Sequence, residues 1–241
     1  MFEKARSKGF QIVTLHHAEA ILMHDMAAAV TEIEKVLLGI KIPPEELIRG
    51  GGGEGELTQR MRHELAASGW MKHNFEIKKI IDGKERESIS HQIDHVKHFE
   101  TGTFALEIEW NNKDPFFDRD LENFKRLHAD GAISIGAIIT RGSTLQDSLR
   151  EVVKRFAIQK KISKINDLSQ YYTPTDRQKK IIKQKEQAEG SFEAGWAHAF
   201  VSDKFGEATT HWRKLEDRVQ RGVGNPCPLL LIGIPRNVII A

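Results

Sequence analysis

The stretch FALEIEWNNKD, residues 104–114, reads as a β-strand that carries acid where acid is expensive. Phe104, Leu106, Ile108 and Trp110 alternate with Ala105, Glu107 and Glu109, so at period 2 both glutamates share one face. Side chains two apart on a strand sit roughly 6.5–7 Å from each other. Two bare carboxylates at that spacing repel by about 2–3 kcal/mol at an effective dielectric near 20. On a half-exposed sheet, solvent would simply absorb this repulsion. The residues that follow make that reading harder to keep.

Pro115 and the acidic DRDLE open a helix running to about His128, with negative charge at the end the dipole favours. A DG turn then leads into AISIGAIITR, residues 132–141, a near-continuous apolar run suited to a strand covered on both faces. Strand, helix and buried strand make a βαβ crossover, which puts the glutamate strand inside a sheet. Carboxylates there need a cation or protons. Upstream, residues 70–81 and 88–99 read as strands joined by a DGKE hairpin turn. If the next turn sits at ETGT, Asp94 lies on the strand beside Glu107 and Glu109, and three carboxylates converge.

The rest of the chain is consistent with one α/β domain spanning residues 1–241, with a central mixed sheet flanked by helices. FQIVTL, residues 10–15, is a short strand, and an Ala-rich helix runs from about His17 to Leu38 until Pro43 and Pro44 exclude it. RGGGGEGE is a flexible loop feeding the helix LTQRMRHELAASG; no Lys-Ser/Thr follows the glycines, so it is not a Walker loop. A helix begins at Leu145 and opens a basic segment reaching about residue 189. Thr209, Thr210 and His211 open a last helix to Arg221, and CPLLLIGI closes the chain as a buried strand.

Among 241 residues the formal net charge is only +2, so global charge says little about partners. Its distribution says more: residues 150–185 hold eleven Lys/Arg against three Asp/Glu, over an acidic remainder. That suits a polyanion, although such runs are also ordinary solvated helix faces. Cys227 is the single cysteine, which excludes an intrachain disulfide or a thiolate zinc site. No apolar run approaches the ~20 residues of a membrane span, and a soluble protein of a reducing, cytoplasmic compartment is expected. His91, His95 and His98 have helical spacing in a segment that reads as strand, so a zinc site there is not favoured.

Hard oxygen ligands of this kind suit Mg²⁺, and Mg²⁺ suits phosphodiester hydrolysis. An aspartate followed after twelve residues by E-x-E resembles the PD-(D/E)xK nuclease site in its BamHI-like variant. GGGEGELTQRMRHELAASGW, EIEWNNKDPFFDRDLENFKRLH with GAISIGAIITRG, and ATTHWRKLEDRVQRGVGNPCPLLLIGIP occur in order from about residue 50 to 235. Together they resemble the BglII/BstYI family of type II restriction endonucleases. The resemblance implies a restriction-endonuclease-like core, with Asp94, Glu107 and the Ile108 carbonyl as metal ligands. Glu109 would position or deprotonate the attacking water; some members have glutamine there. Ile93, not proline, precedes Asp94. Glu64 resembles an auxiliary acid near the metal.

For DNA the resemblance favours Asn111, Asn112 and Lys113 just past the catalytic strand, and Arg141 and Ser143 in a second loop at the same edge. Thr210 and His211 are further candidates, and Lys160, Lys161 and Lys164 would add sequence-independent affinity. The implied enzyme is a prokaryotic homodimer that cuts duplex DNA at a palindrome with a GATC core, leaving four-base 5′ overhangs, alongside a cognate DNA methyltransferase. The N-terminal helix and the basic segment would serve DNA binding or dimerisation. A structure-specific repair or recombination nuclease, a catalytically silent DNA-binding protein, and a non-catalytic metal protein are the alternatives.

Overall fold

The computed structural model describes residues 1–49 and 54–240; the centre of the glycine-rich loop lies outside the described residues. The strands are β1 (Gln11–Leu15), β2 (Met71–Ile81), β3 (Lys84–Phe99), β4 (Gly102–Glu109), β5 (Ile135–Arg141) and β6 (Leu229–Ile234). They form one mixed sheet in the order β1-β6-β5-β4-β3-β2. β4, β5 and β6 are parallel at its centre, with antiparallel neighbours on both sides. The helices are α1 (Glu3–Ser7), α2 (Ala18–Ala20), α3 (Ala27–Gly39), α4 (Pro44–Ile48), α5 (Glu56–Ala67), α6 (Phe116–Ala129), α7 (Ser143–Gln159), α8 (Asp176–Glu189), α9 (Phe192–Lys204) and α10 (Trp212–Gln220). Among the described residues no helix is long and apolar enough to cross a membrane.

Each sheet face carries its own apolar cluster, and the period-2 pattern of β4 assigns residues to them. Phe104, Leu106 and Ile108 pack with Leu57, Met61 and Leu65 of α5 and Leu149 and Val153 of α7. Ala105 packs on the other face with Phe117, Leu121 and Phe124 of α6 and Leu215 of α10. β5 and β6 are buried along their whole length, as their unbroken apolar runs require. The expected crossover is present as β4–α6–β5. Its tightness depends on Gly136, where a Cβ would lie 2.6 Å from the Phe124 ring.

The β2–β3 turn is the Asp82-Gly83 pair, both at positive φ (52° and 73°), the conformation a two-residue hairpin needs. β3 pairs with β4 only from His95 to Phe99, so the hairpin beyond that point is a two-stranded ribbon without a third strand.

Two expectations fail here. The helix expected from His17 to Leu38 is broken: α2 passes into a π-turn at Ile21–Asp25, and α3 starts afresh after Met26. The wider turn buries both Leu22 and Met26, and the freed Asp25 carbonyl accepts a hydrogen bond from Thr101 at 2.8 Å. The last helix begins at Trp212 rather than Thr209, because residues 208–210 pair with the loop after β4. Asn112 C=O accepts from the Thr210 N–H at 2.9 Å, and Ala208 C=O from the Asp114 N–H at 3.0 Å. The basic segment is more than one helix: α8 and α9 form an antiparallel hairpin. α8 is started by a Thr175–Gln178 capping box and ended by Gly190 in the left-handed region.

Candidate active site

The C-terminal half of β4 places Glu107 and Glu109 on the α6 side of a central strand, 4% and 3% exposed. Asp94 stands beside them on β3. There the β2–β3 register steps from Met71↔Val96 to His73↔Ile93, so three residues of β3 oppose two of β2. This bulge turns the Asp94 N–H toward the Glu107 carboxylate, to which it donates at 3.3 Å. The Asp94 side chain is half exposed, and Lys72 Nζ lies 3.3 Å from its Oδ1.

An electrostatic penalty is present, but its main source is burial rather than the mutual repulsion read from the sequence. Burial pushes the Glu107 carboxyl well above its usual range, and the charges of Asp120, Asp94 and Glu109 push the same way. Glu109 is raised to about 8, by burial first and by Asp120 second. Its oxygens have two donors. Asn112 Nδ2 donates to Oε2 at 2.8 Å, and Arg119 Nη2 lies 3.5 Å from Oε1.

Asp120 is a fourth carboxylate that the sequence reading missed. It is 1% exposed on α6, in a stripe with Phe117, Leu121, Phe124 and Leu127. The signal was available: an aspartate at i+3 within an otherwise apolar helical stripe is misplaced unless it has a task. Arg119 holds its Oδ1, with Nε at 2.8 Å and Nη2 at 2.7 Å, while Oδ2 is buried without a partner. Burial raises the Asp120 carboxyl, against the pull of Arg119.

Glu64 is not brought to this cluster. It is exposed on α5, which packs against the opposite face of the sheet. The Asn111–Lys113 loop does adjoin the carboxylates, with Asn112 and Lys113 exposed. Arg141, Thr210 and His211, expected at a DNA surface, are instead fully buried. The Arg141 guanidinium donates to Asn111 Oδ1 (2.6 Å), Thr209 Oγ1 (2.7 Å) and the Thr210 carbonyl (2.8 Å), and lies 4.9 Å from the Phe205 ring centroid. It ties the loop after β4 to the loop before α10 rather than reaching outward. Thr210 Oγ1 serves the same joint by accepting the Asn112 N–H at 3.0 Å. Ser143 is held in place by Gln11, whose Oε1 accepts its N–H at 2.6 Å. Lys160, Lys161 and Lys164 follow the 17 residues of α7, a helix about 25 Å long that starts at the sheet edge where β4 and β5 end and leaves it. Lys160 is paired with Glu45 at 3.0 Å.

All donors in the cluster are oxygens, which selects a hard divalent cation. Among the described residues no three His, Cys, Asp or Glu side chains are arranged to hold an ion as they stand. Mg²⁺ commonly takes only one or two carboxylates and completes its shell with water and phosphate. The orphaned Asp120 oxygen and the raised glutamates are the marks of a site short of positive charge, so the residues fit such an ion.

The family model for the restriction endonucleases BglII/BglIII matches residues 10–234, nearly the whole chain. No curated protein matches it. Enzymes of this type bind double-stranded DNA and generally need a divalent metal, and the mixed sheet flanked by helices is their restriction-endonuclease-like fold. The chain belongs to the BglII/BglIII restriction endonuclease family and is a type II site-specific deoxyribonuclease.

Proposed function

We propose that the chain acts as a Mg²⁺-dependent homodimer that cuts both strands of a palindrome with a GATC core, before the G, leaving four-base 5′ overhangs. Its 241 residues would be one catalytic domain, with the N-terminal helices and the segment of about residues 145–189 serving DNA contact or dimerisation. It would work in a prokaryotic cytoplasm beside a methyltransferase that protects the same site.

The observation that carries the reading is the burial of Glu107, Glu109 and Asp120 beside Asp94, at the strand end of a family-matched chain. Asp94, Glu107 and the Ile108 carbonyl would hold the ion. Mg²⁺, when bound, would supply the electrophilic charge that attack on a phosphodiester requires. Glu109, fixed by Asn112, would orient the attacking water and accept its proton, a task suited to a carboxylate raised toward neutral pH. Asn112 and Lys113, exposed next to it, would meet base edges or phosphates. Incubation of phage DNA with the protein and Mg²⁺ should give discrete fragments whose ends read GATC, and Glu107→Ala should abolish them. Ragged products without a common end, or undiminished cutting by the variant, would refute the proposal.

A further inference from the structure

Among the described residues Arg119 is the one side chain that bridges two of the buried carboxylates, and half of it is open to solvent. Its guanidinium touches Asp120 Oδ1 at 2.7 Å and lies 3.5 Å from Glu109 Oε1, with 52% of the side chain exposed against 1% and 3% for its partners. Its outer face rests on the Phe116 ring, 4.3 Å from the centroid. Lys72 stands at Asp94 in a similar way on the periphery. Four carboxyl groups thus face two cations, and the balance is left to protons or to a further cation. Yet the oxygens are not gathered around one point, and a half-exposed guanidinium is already in contact with Glu109 and Asp120.

We propose that Arg119 holds the place of the divalent cation in the metal-free protein, paired with Glu109 and Asp120, and is displaced outward when the ion binds. This rests on the metal-dependent reading above. The displaced guanidinium needs no large rearrangement, because its stem is already exposed and its flat face is supported by Phe116. Arg suits the role because its fork satisfies two carboxylates at once, whereas an ammonium offers a single point of charge. Metal binding in the absence of DNA is then a competition, and removing the competitor strengthens it.

The test is calorimetric titration of the metal-free, full-length protein with Ca²⁺ and with Mg²⁺, at fixed pH and ionic strength and without DNA. Arg119→Gln should bind both ions about tenfold more tightly than the wild type, the scale of one nearby charge at the edge of a protein. Arg119→Lys should fall between them, and serves as the working variant if the glutamine form does not fold. Unchanged or weaker binding by both variants would overturn the proposal. Glu107→Ala separates this from failure of the functional reading. If wild type and Glu107→Ala bind the ions equally, the carboxylates hold no metal, and both the metal-dependent mechanism and the role of Arg119 fall.

Discussion

Glu107 and Glu109 lower the stability of the folded protein once they ionise, and the pH dependence of that cost has a definite sign. Glu109 is raised in the folded state from 4.5 to about 8, so below pH 4.5 folded and unfolded chains both hold the proton. Between those values the unfolded chain releases a proton that the folded chain retains. The group's contribution to stability therefore falls as pH rises through this window and levels off above it. Thermal melts in chelator should show a falling midpoint from about pH 5.5 to pH 8. Glu109→Gln should flatten that slope, and Glu107→Gln should raise the midpoint at pH 8 by a few degrees while cleavage falls by on the order of 10²-fold or more. A midpoint that rises with pH in chelator would contradict the burial of these groups as acids. Sequence alone exposed Glu107 and Glu109 because alternation on an interior strand leaves charge nowhere to go. Asp120 escaped because DRDLE already had an explanation as helix-dipole chemistry, which hid its place in the apolar stripe. The burial of Arg141 was not legible, for the opposite reason. An arginine ending a strand looks solvated until the Phe205 and Trp110 rings that enclose it are brought together by tertiary folding.

The elements were legible where their pattern is internal and obscure where it depends on a neighbour. β4, α6 and β5 announce themselves through period and turn residues, and the Asp82-Gly83 turn through its dipeptide. The α8–α9 hairpin does not, because its closest contact is made by the absence of a side chain. A Cβ at Gly195 would lie 2.3 Å from the Glu186 backbone nitrogen, so the two helices touch backbone to backbone there. Gly195→Ala must push them apart and should cost about 1–3 kcal/mol in urea unfolding, outweighing the better helix propensity of alanine. A neutral or stabilising result would mean the hairpin is looser than its geometry. The break at Met26 was equally hidden, since every residue from Ala18 to Leu38 is compatible with helix and the interruption answers to packing around Leu22 and to Thr101.

At the level of the molecule, the sheet order follows from the crossover and the two hairpins, but the position of the charge does not. The basic run was expected to add sequence-independent affinity for DNA, and α7 places Lys160, Lys161 and Lys164 a helix length beyond the end of β5. If all three met phosphates of the recognition duplex, replacing them with alanine would reduce the salt slope of binding by close to three. The placement predicts a change below one for a duplex just longer than the site, measured by fluorescence anisotropy across a salt series with Ca²⁺ present. The same global view gives the unsupported β2–β3 ribbon its meaning. Among the described residues, 78–81 and 84–88 have each other and no third strand, beyond Phe75, Ile77 and Ile93 that pack on the core, so their amides answer to a local opening, whereas those of β4–β6 answer to global unfolding. In deuterated buffer this end of the ribbon should exchange as one early unit, with the boundary of protection between it and the buried Phe75, His91 and Ile93. The strand that carries Asp94 should thus breathe, beyond that residue, on a faster clock than the strand that carries Glu107 and Glu109.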